Sequence, residues 1–168
     1  MQAMTIAALL AAAASTASAA ECQMAKAVYG QAGSNWTLQF TPIPRDAAAN
    51  QVAAFTVELP NSGDALVGAV HVPNGFGSSS GWIDEPACTA SADEVRDDPE
   101  VCALWHATVY ALDGEVLGQL PQDDSVPAPA QILLPEFAEA VWYSLRRDAE
   151  WAGDQAPGDA FTFARCAD

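Results

Sequence analysis

Apolar residues recur at every second position in several segments of this chain, which is the pattern of a β-strand with one buried face. In "NWTLQFT" the alternating residues are Trp36, Leu38 and Phe40. The segments "VAAFTVEL" and "ALVGAVHV" alternate in the same way, and the turn-forming residues "PNSGD" separate them. We therefore expect these two segments to form a β-hairpin.

The longest alternating segment is "VCALWHATVYAL", residues 101–112, in which every odd position is apolar. Asp113-Gly114 follows, a dipeptide favoured in type I′ turns, and "EVLGQL" can return as the partner strand. Residues 73–100 lie between the two predicted hairpins and are rich in Gly, Ser, Pro and acidic residues. We expect this stretch to be a long irregular loop.

One helix is predicted near the end of the chain, in "PEFAEAVWYSLRRDAEW". Pro135 suits a first helical position, and Phe137, Val141 and Leu145 form one apolar stripe. The segment "DAFTFARC" then predicts a closing strand. The expected fold is mainly β, either β-sandwich-like or an antiparallel sheet, with one C-terminal α-helix packed on it.

The chain has four cysteines, and an even number in an exported protein indicates two disulfides. Three pairings are possible. We favour Cys22–Cys166, which ties the two ends of the chain, and Cys88–Cys102, which closes a local loop. Zinc is a weaker explanation because no C-x-x-C pair is present.

The first twenty residues, "MQAMTIAALLAAAASTASAA", contain no charged residue and end in the A-x-A pattern Ala17-Ser18-Ala19. We interpret residues 1–20 as a cleaved signal peptide, although the usual basic start is missing. Residues 21–168 then form a single soluble domain, periplasmic or secreted. The leader is too weakly apolar for a transmembrane anchor, so no membrane insertion is expected after cleavage.

The formal net charge is −16, from 22 acidic and 6 basic residues, all within residues 21–168. Such a charge repels phosphate backbones, so we expect no nucleic-acid partner. It would attract a basic partner or bind cations weakly. The acidic stretches "SADEVRDDPE" and "QDDS" lack the D-x-D-x-D-G spacing of a calcium loop.

A G-x-S-x-G pattern occurs at Gly77, Ser79 and Gly81, and this pattern is typical of the nucleophile turn in α/β-hydrolases. Ser79 would need His106 as its base, and an orienting acid from among Asp84, Asp93, Asp97 and Asp98. The residues after the motif do not predict a helix, and the chain is short for that fold. Ser79 and His106 are therefore the catalytic candidates of an alternative hypothesis.

No cofactor-binding motif is present. His71 and His106 fall on the less apolar faces of predicted strands and could meet across a sheet, but no third ligand accompanies them, so no metal site is expected. Trp36 and Trp105 fit the core by alternation. Trp82 and Trp142 do not, and such residues could stack on sugar rings or on side chains of a partner.

These observations favour a non-enzymatic binding or interaction module, exported and disulfide-stabilised, that uses the 73–100 loop to recognise an unknown protein or small ligand. One alternative is a small serine hydrolase using Ser79 with His106. Another is an acidic inhibitor or immunity-type protein that binds a basic partner.

Overall fold

The computed structural model describes residues 18–60, 62–73, 77–84, 103–144 and 156–168. These ranges contain two short 3₁₀ turns, Ala19–Glu21 and Met24–Lys26, and a seven-residue helix, α1, Phe137–Tyr143. They also contain ten strands: β1 Ala27–Gly30, β2 Thr37–Thr41, β3 Gln51–Glu58, β4 Ala65–His71, β5 Ser80–Asp84, β6 Ala103–Thr108, β7 Tyr110–Asp113, β8 Val116–Gln119, β9 Gln131–Leu133 and β10 Ala160–Cys166. The described part of the chain is thus mainly β with one α-helix, as the sequence predicts.

All ten strands belong to one antiparallel sheet in the order β6-β5-β4-β3-β2-β1-β10-β9-β7-β8. Strand β6 is the first in this order and β7 is the last but one, yet only Val109 separates them along the chain. The sheet must therefore curl until its two ends meet at Val109, which is fully buried. The curled sheet surrounds one hydrophobic core.

The strands with the clearest alternation form as predicted. Trp36, Leu38 and Phe40, on or just before β2, are all buried, and β3 and β4 make the expected hairpin. Gly68 of β4 lies beneath Phe55 of β3, where an added Cβ would overlap the phenyl ring. Burial of alternate side chains therefore fixes the register of this part of the sheet.

Two expectations about the middle of the chain are wrong. Residues 73–100 are not irregular throughout, because Ser80–Asp84 forms β5 between β4 and β6. The predicted strand at residues 101–112 is divided at Val109 into β6, which pairs with β5, and β7, which pairs with β8 and β9. The alternation runs unbroken through the bend because both halves face the same core.

The hairpin β7–β8 is confirmed, but its turn differs from the expected type. Asp113 pairs with Val116, so Gly114 and Glu115 are the central residues. Gly114 has φ 61°, whereas Glu115 does not have a positive φ, and a type I′ turn requires positive φ at both positions.

The disulfide Cys22–Cys166 is confirmed, with a Cα–Cα distance of 5.6 Å. It ties the start of the described chain to the last residue of β10, beside β1, which pairs with β10. Cys88 and Cys102 lie outside the described residues, as do residues 1–17 of the predicted signal peptide. Within the described ranges, no helix is both long enough and apolar enough to cross a membrane.

The helix α1 begins at Phe137, two residues after Pro135, which is therefore not its first residue. Phe137 is fully buried and makes edge contacts with Trp36 and Trp105. The indole Nε1 of Trp105 donates a hydrogen bond of 2.8 Å to the carbonyl oxygen of Pro135. These contacts fix the start of α1 against β6.

Candidate functional site

Two open grooves flank Trp82. The first, which we call the helix groove, has a volume of about 600 Å³ and lies between β6 and α1; its lining comprises Trp82, Ala103, Leu104, Trp105, His106, Glu136, Glu139 and Ala140. The second, the sheet groove, has a volume of about 450 Å³ and lies over β3, β4 and β5; its lining comprises Pro44, Gln51, Ala54, Val67, Gly68, Ala69, His71, Trp82 and Asp84. Trp82 is the one residue that both sets share.

The alternation of β5 places Trp82 on the outer face of the sheet. Gly81 and Ile83 are buried, whereas Ser80 and Trp82 are half-buried and Asp84 is exposed. Successive side chains of a strand point to opposite faces, so Ser80, Trp82 and Asp84 share the outer face. These three residues are the side chains that β5 offers to solvent.

The indole of Trp82 stacks on the imidazole of His106, its partner on β6. The ring centroids are 3.5 Å apart and the ring planes differ by 20°. His106 covers the indole from the β6 side. On the opposite side the partner of Trp82 is Ala69 of β4, a small residue that leaves the other face of the indole open to the sheet groove. The stack therefore holds the tryptophan in one orientation, with the rest of its surface on the sheet groove.

A second contact fixes the histidine. The Oγ of Ser80 and the Nε2 of His106 lie 2.7 Å apart and form a hydrogen bond. Ser80 pairs directly with Thr108, so His106 is its diagonal neighbour across the two strands. His106 is thus held by the ring of Trp82 and the hydroxyl of Ser80.

The structure does not bring Ser79 and His106 together. Ser79 is completely buried, and its Oγ has no hydrogen-bond partner within the described part of the chain. Its carbonyl oxygen accepts a hydrogen bond of 2.8 Å from the amide of Val109. Ser79 is followed by a strand, whereas the nucleophile turn of an α/β-hydrolase leads into a helix. Ser80, the next residue, is the serine that contacts His106.

Two carboxylates line the helix groove, and both belong to the start of α1. Glu136 has φ 63° and ψ 9°, a left-handed conformation that is uncommon for a residue with a Cβ. The carboxylate of Asp159 accepts hydrogen bonds of 3.0 Å from the amides of Glu136 and Ala138. Because Asp159 satisfies these amides, the carboxylates of Glu136 and Glu139 remain available to solvent.

The remaining predicted acidic and histidine candidates do not form a metal site among the described residues, where no group of three or more His, Cys, Asp or Glu side chains is suitably placed. His71 pairs with Ser80 at the end of β4 and lines the sheet groove. In "QDDS", the Oδ1 of Asp123 accepts hydrogen bonds from the hydroxyl and the amide of Ser125. These two hydrogen bonds lower the pKa of Asp123, and the bond from the hydroxyl makes the larger contribution. Asp93, Asp97 and Asp98 lie outside the described residues.

No basic side chain lines either groove among the described residues. The carboxylates there are Glu136 and Glu139 in the helix groove and Asp84 in the sheet groove. Three of the six basic residues of the chain fall in the described ranges, and these are Lys26, Arg45 and Arg165. Among the described residues, the surface around Trp82 therefore carries carboxylates and no basic side chain.

Comparison of the chain with protein-family models, with curated proteins and with solved structures gave no match in any of the three searches. The function is therefore inferred from the chemistry of the residues themselves.

The sequence patterns do not link His106 with Trp82, and they do not select Ser80, Glu136 or Glu139 as site residues. One signal was available, because "SGWID" has its polar or amphipathic residues at every second position. That pattern predicts a strand with Ser80 and Trp82 on one face. No sequence signal pairs Trp82 with His106, since the pairing depends on the register between β5 and β6.

Proposed function

We propose that this protein is a non-enzymatic binding module whose recognition surface is the outer face of β5 and β6 together with the adjoining start of α1. The observation that supports this proposal is the Trp82–His106 stack between the two grooves. A tryptophan held in one orientation offers a large contact area at little further cost in side-chain entropy. This surface replaces the 73–100 loop as the proposed site, and only the β5 part of that loop belongs to it.

The lining of the grooves fits a ligand-binding surface. The floor of the sheet groove consists of small residues, Ala54, Gly68 and Ala69, beside the free face of the indole. The polar side chains Gln51, His71 and Asp84 also line that groove. A mainly apolar floor with a few polar groups at defined positions is the usual composition of a small-ligand or side-chain pocket.

The proposal is tested by probing arrays of defined peptides and glycans with labelled wild-type protein and with two matched variants. Trp82→Ala removes the shared wall of the grooves. Trp142→Ala removes another tryptophan, which lies on α1, is 49% exposed and lines neither groove among the described residues. We expect signals that Trp82→Ala loses and Trp142→Ala retains. If no signal depends on Trp82, the proposed recognition surface is incorrect.

A hydrolase remains a second candidate because of one contact, the 2.7 Å hydrogen bond between Ser80 Oγ and His106 Nε2. A serine in contact with a histidine base is the core of nucleophilic catalysis. Among the described residues, however, no carboxylate is hydrogen-bonded to His106 to orient it. A fluorophosphonate probe separates the two candidates: labelling lost in Ser80→Ala but kept in Ser79→Ala supports a hydrolase, and absence of labelling supports the binding module.

A further inference from the structure

We infer that the recognition surface binds a cationic side chain, arginine above all, presented by a basic protein segment that seats in the helix groove. This inference rests on the proposed binding function and names the chemistry of the ligand. The residues that carry it are Trp82, His106, Glu136 and Glu139, which line one groove of about 600 Å³.

The groove offers the two kinds of contact that a guanidinium group uses. The aliphatic stem of an arginine can pack on Leu104 and Ala140, and its guanidinium can stack on His106, whose other face is covered by the indole of Trp82. The carboxylates of Glu136 and Glu139 are exposed on the helix side and can accept its hydrogen bonds. A guanidinium group stacks on aromatic rings and donates to carboxylates at once, which an ammonium group does less well.

Charge complementarity selects a cation over a neutral or anionic ligand. No described Lys or Arg lines the groove, so within the described part of the chain its carboxylates have no basic side chain beside them. The formal net charge of −16 adds a long-range attraction for a basic partner and repels an acidic one. A neutral sugar could use the Trp82–His106 stack but would gain nothing from this charge.

The test measures binding of a dye-labelled oligoarginine peptide by fluorescence anisotropy at low and at near-physiological ionic strength. The same peptide with citrulline in place of arginine keeps the shape of the side chain and removes its charge. Oligolysine separates a guanidinium preference from general attraction to cations. Three variants of the full chain are compared: Trp82→Ala, the double variant Glu136→Gln/Glu139→Gln and the double variant Glu58→Gln/Glu115→Gln.

The last variant is the matched control. Glu58 and Glu115 are exposed and line neither groove among the described residues. Replacing both by glutamine removes two negative charges, as the Glu136→Gln/Glu139→Gln variant does. We expect Glu136→Gln/Glu139→Gln to weaken oligoarginine binding about fivefold and the control to change it by less than about twofold. Trp82→Ala should weaken binding about tenfold or more. Binding should also weaken with added salt, and oligoarginine should bind more tightly than oligolysine.

Two outcomes of the peptide measurements would overturn the inference. Equal losses in the two double variants would mean that only the overall charge attracts the peptide. Equal binding of the arginine and citrulline peptides would mean that the cation is not recognised. If the arrays show glycans or neutral peptides whose binding depends on Trp82, the binding function stands and the cationic ligand is wrong. If nothing depends on Trp82, both proposals fail.

Discussion

Gly81 is the last glycine of the G-x-S-x-G pattern, and the structure gives it a packing role that can be tested by substitution. It is a buried residue of β5, and its φ lies outside the left-handed region. A Cβ added there would lie 2.5 Å from Cγ2 of Val109 and 2.7 Å from Cζ3 of Trp105. Nonpolar carbon atoms pack at about 3.5–4.0 Å, so Gly81→Ala requires these neighbours to move by about 1 Å.

The expected cost follows from two opposing contributions. Overpacking of this kind destabilises a core by about 1–3 kcal/mol. Alanine is favoured over glycine within a strand by about 0.5–1 kcal/mol, because it loses less conformational entropy on folding. We therefore expect Gly81→Ala to lower the free energy of unfolding by about 1–2 kcal/mol.

Gly118 of β8 provides the matched control. It is also a strand glycine without a positive φ, but an added Cβ would meet no atom within 4 Å. Gly118→Ala should leave stability unchanged or raise it by up to about 1 kcal/mol. The difference between the two variants thus isolates the steric overlap at Gly81.

The free energies of unfolding are measured by urea denaturation followed by far-ultraviolet circular dichroism, because Trp105 fluorescence would itself respond to the substitution. Combining Gly81→Ala with Val109→Ala should recover at least about 0.5 kcal/mol relative to additivity, since the nearest contact is removed. The overlap with Trp105 remains, so the recovery should be partial. Equal stability of Gly81→Ala and Gly118→Ala would refute the packing at the closure of the sheet.

Two further predictions concern the stability of the fold. Replacing Cys22 and Cys166 by serine should lower the free energy of unfolding by about 5 kcal/mol, the value that the chain-entropy model gives for a sequence separation of 144 residues. The same urea titration measures it, and a loss below about 1 kcal/mol would contradict that model. Tyr29 is buried, and burial, with a smaller contribution from Asp113, raises its pKa above the ordinary value of 10.0. Its neutral form is thus favoured by folding, and the stability it contributes is complete below about pH 10 and lost as the pH rises further. Unfolding free energies measured above pH 10 should fall more steeply in the wild type than in Tyr29→Phe, and parallel curves would exclude this residue as the cause.

The sequence does not predict which of the two adjacent serines, Ser79 or Ser80, contacts His106. The G-x-S-x-G pattern selects Ser79, but the register of β5 buries that side chain and turns Ser80 outward to His106. Neighbouring residues of a strand point to opposite faces, so a one-residue difference in register exchanges the buried and the exposed serine. The local sequence is compatible with either serine facing inward. The burial of Gly81 and Ile83 in the core decides that Ser79 is the buried one and Ser80 the outward one.

The sequence by itself determined those elements that depend on a local residue pattern or on the number of cysteines. Period-two alternation gave β2, β3 and β4, because a half-buried strand needs apolar residues on one face only. The even number of cysteines indicated disulfides, and the favoured one of three possible pairings contained Cys22–Cys166, which is confirmed. The predicted apolar stripe indicated a helix, and α1 contains its residues Phe137 and Val141, whereas Leu145 lies outside the described residues.

Only the tertiary structure decided how these elements meet. The short strands β1 and β9 have too few residues for a clear alternation, and they are ordered by pairing with β10 between them. The predicted long strand is divided at Val109 because β6 pairs with β5, whereas β7 pairs with β8 and β9. The apolar alternation continues across this change of pairing partner, so it does not reveal the division. The Trp82–His106 stack, and the groove that it lines together with Glu136 and Glu139, join segments far apart in the chain. Long-range packing alone therefore creates the proposed recognition surface.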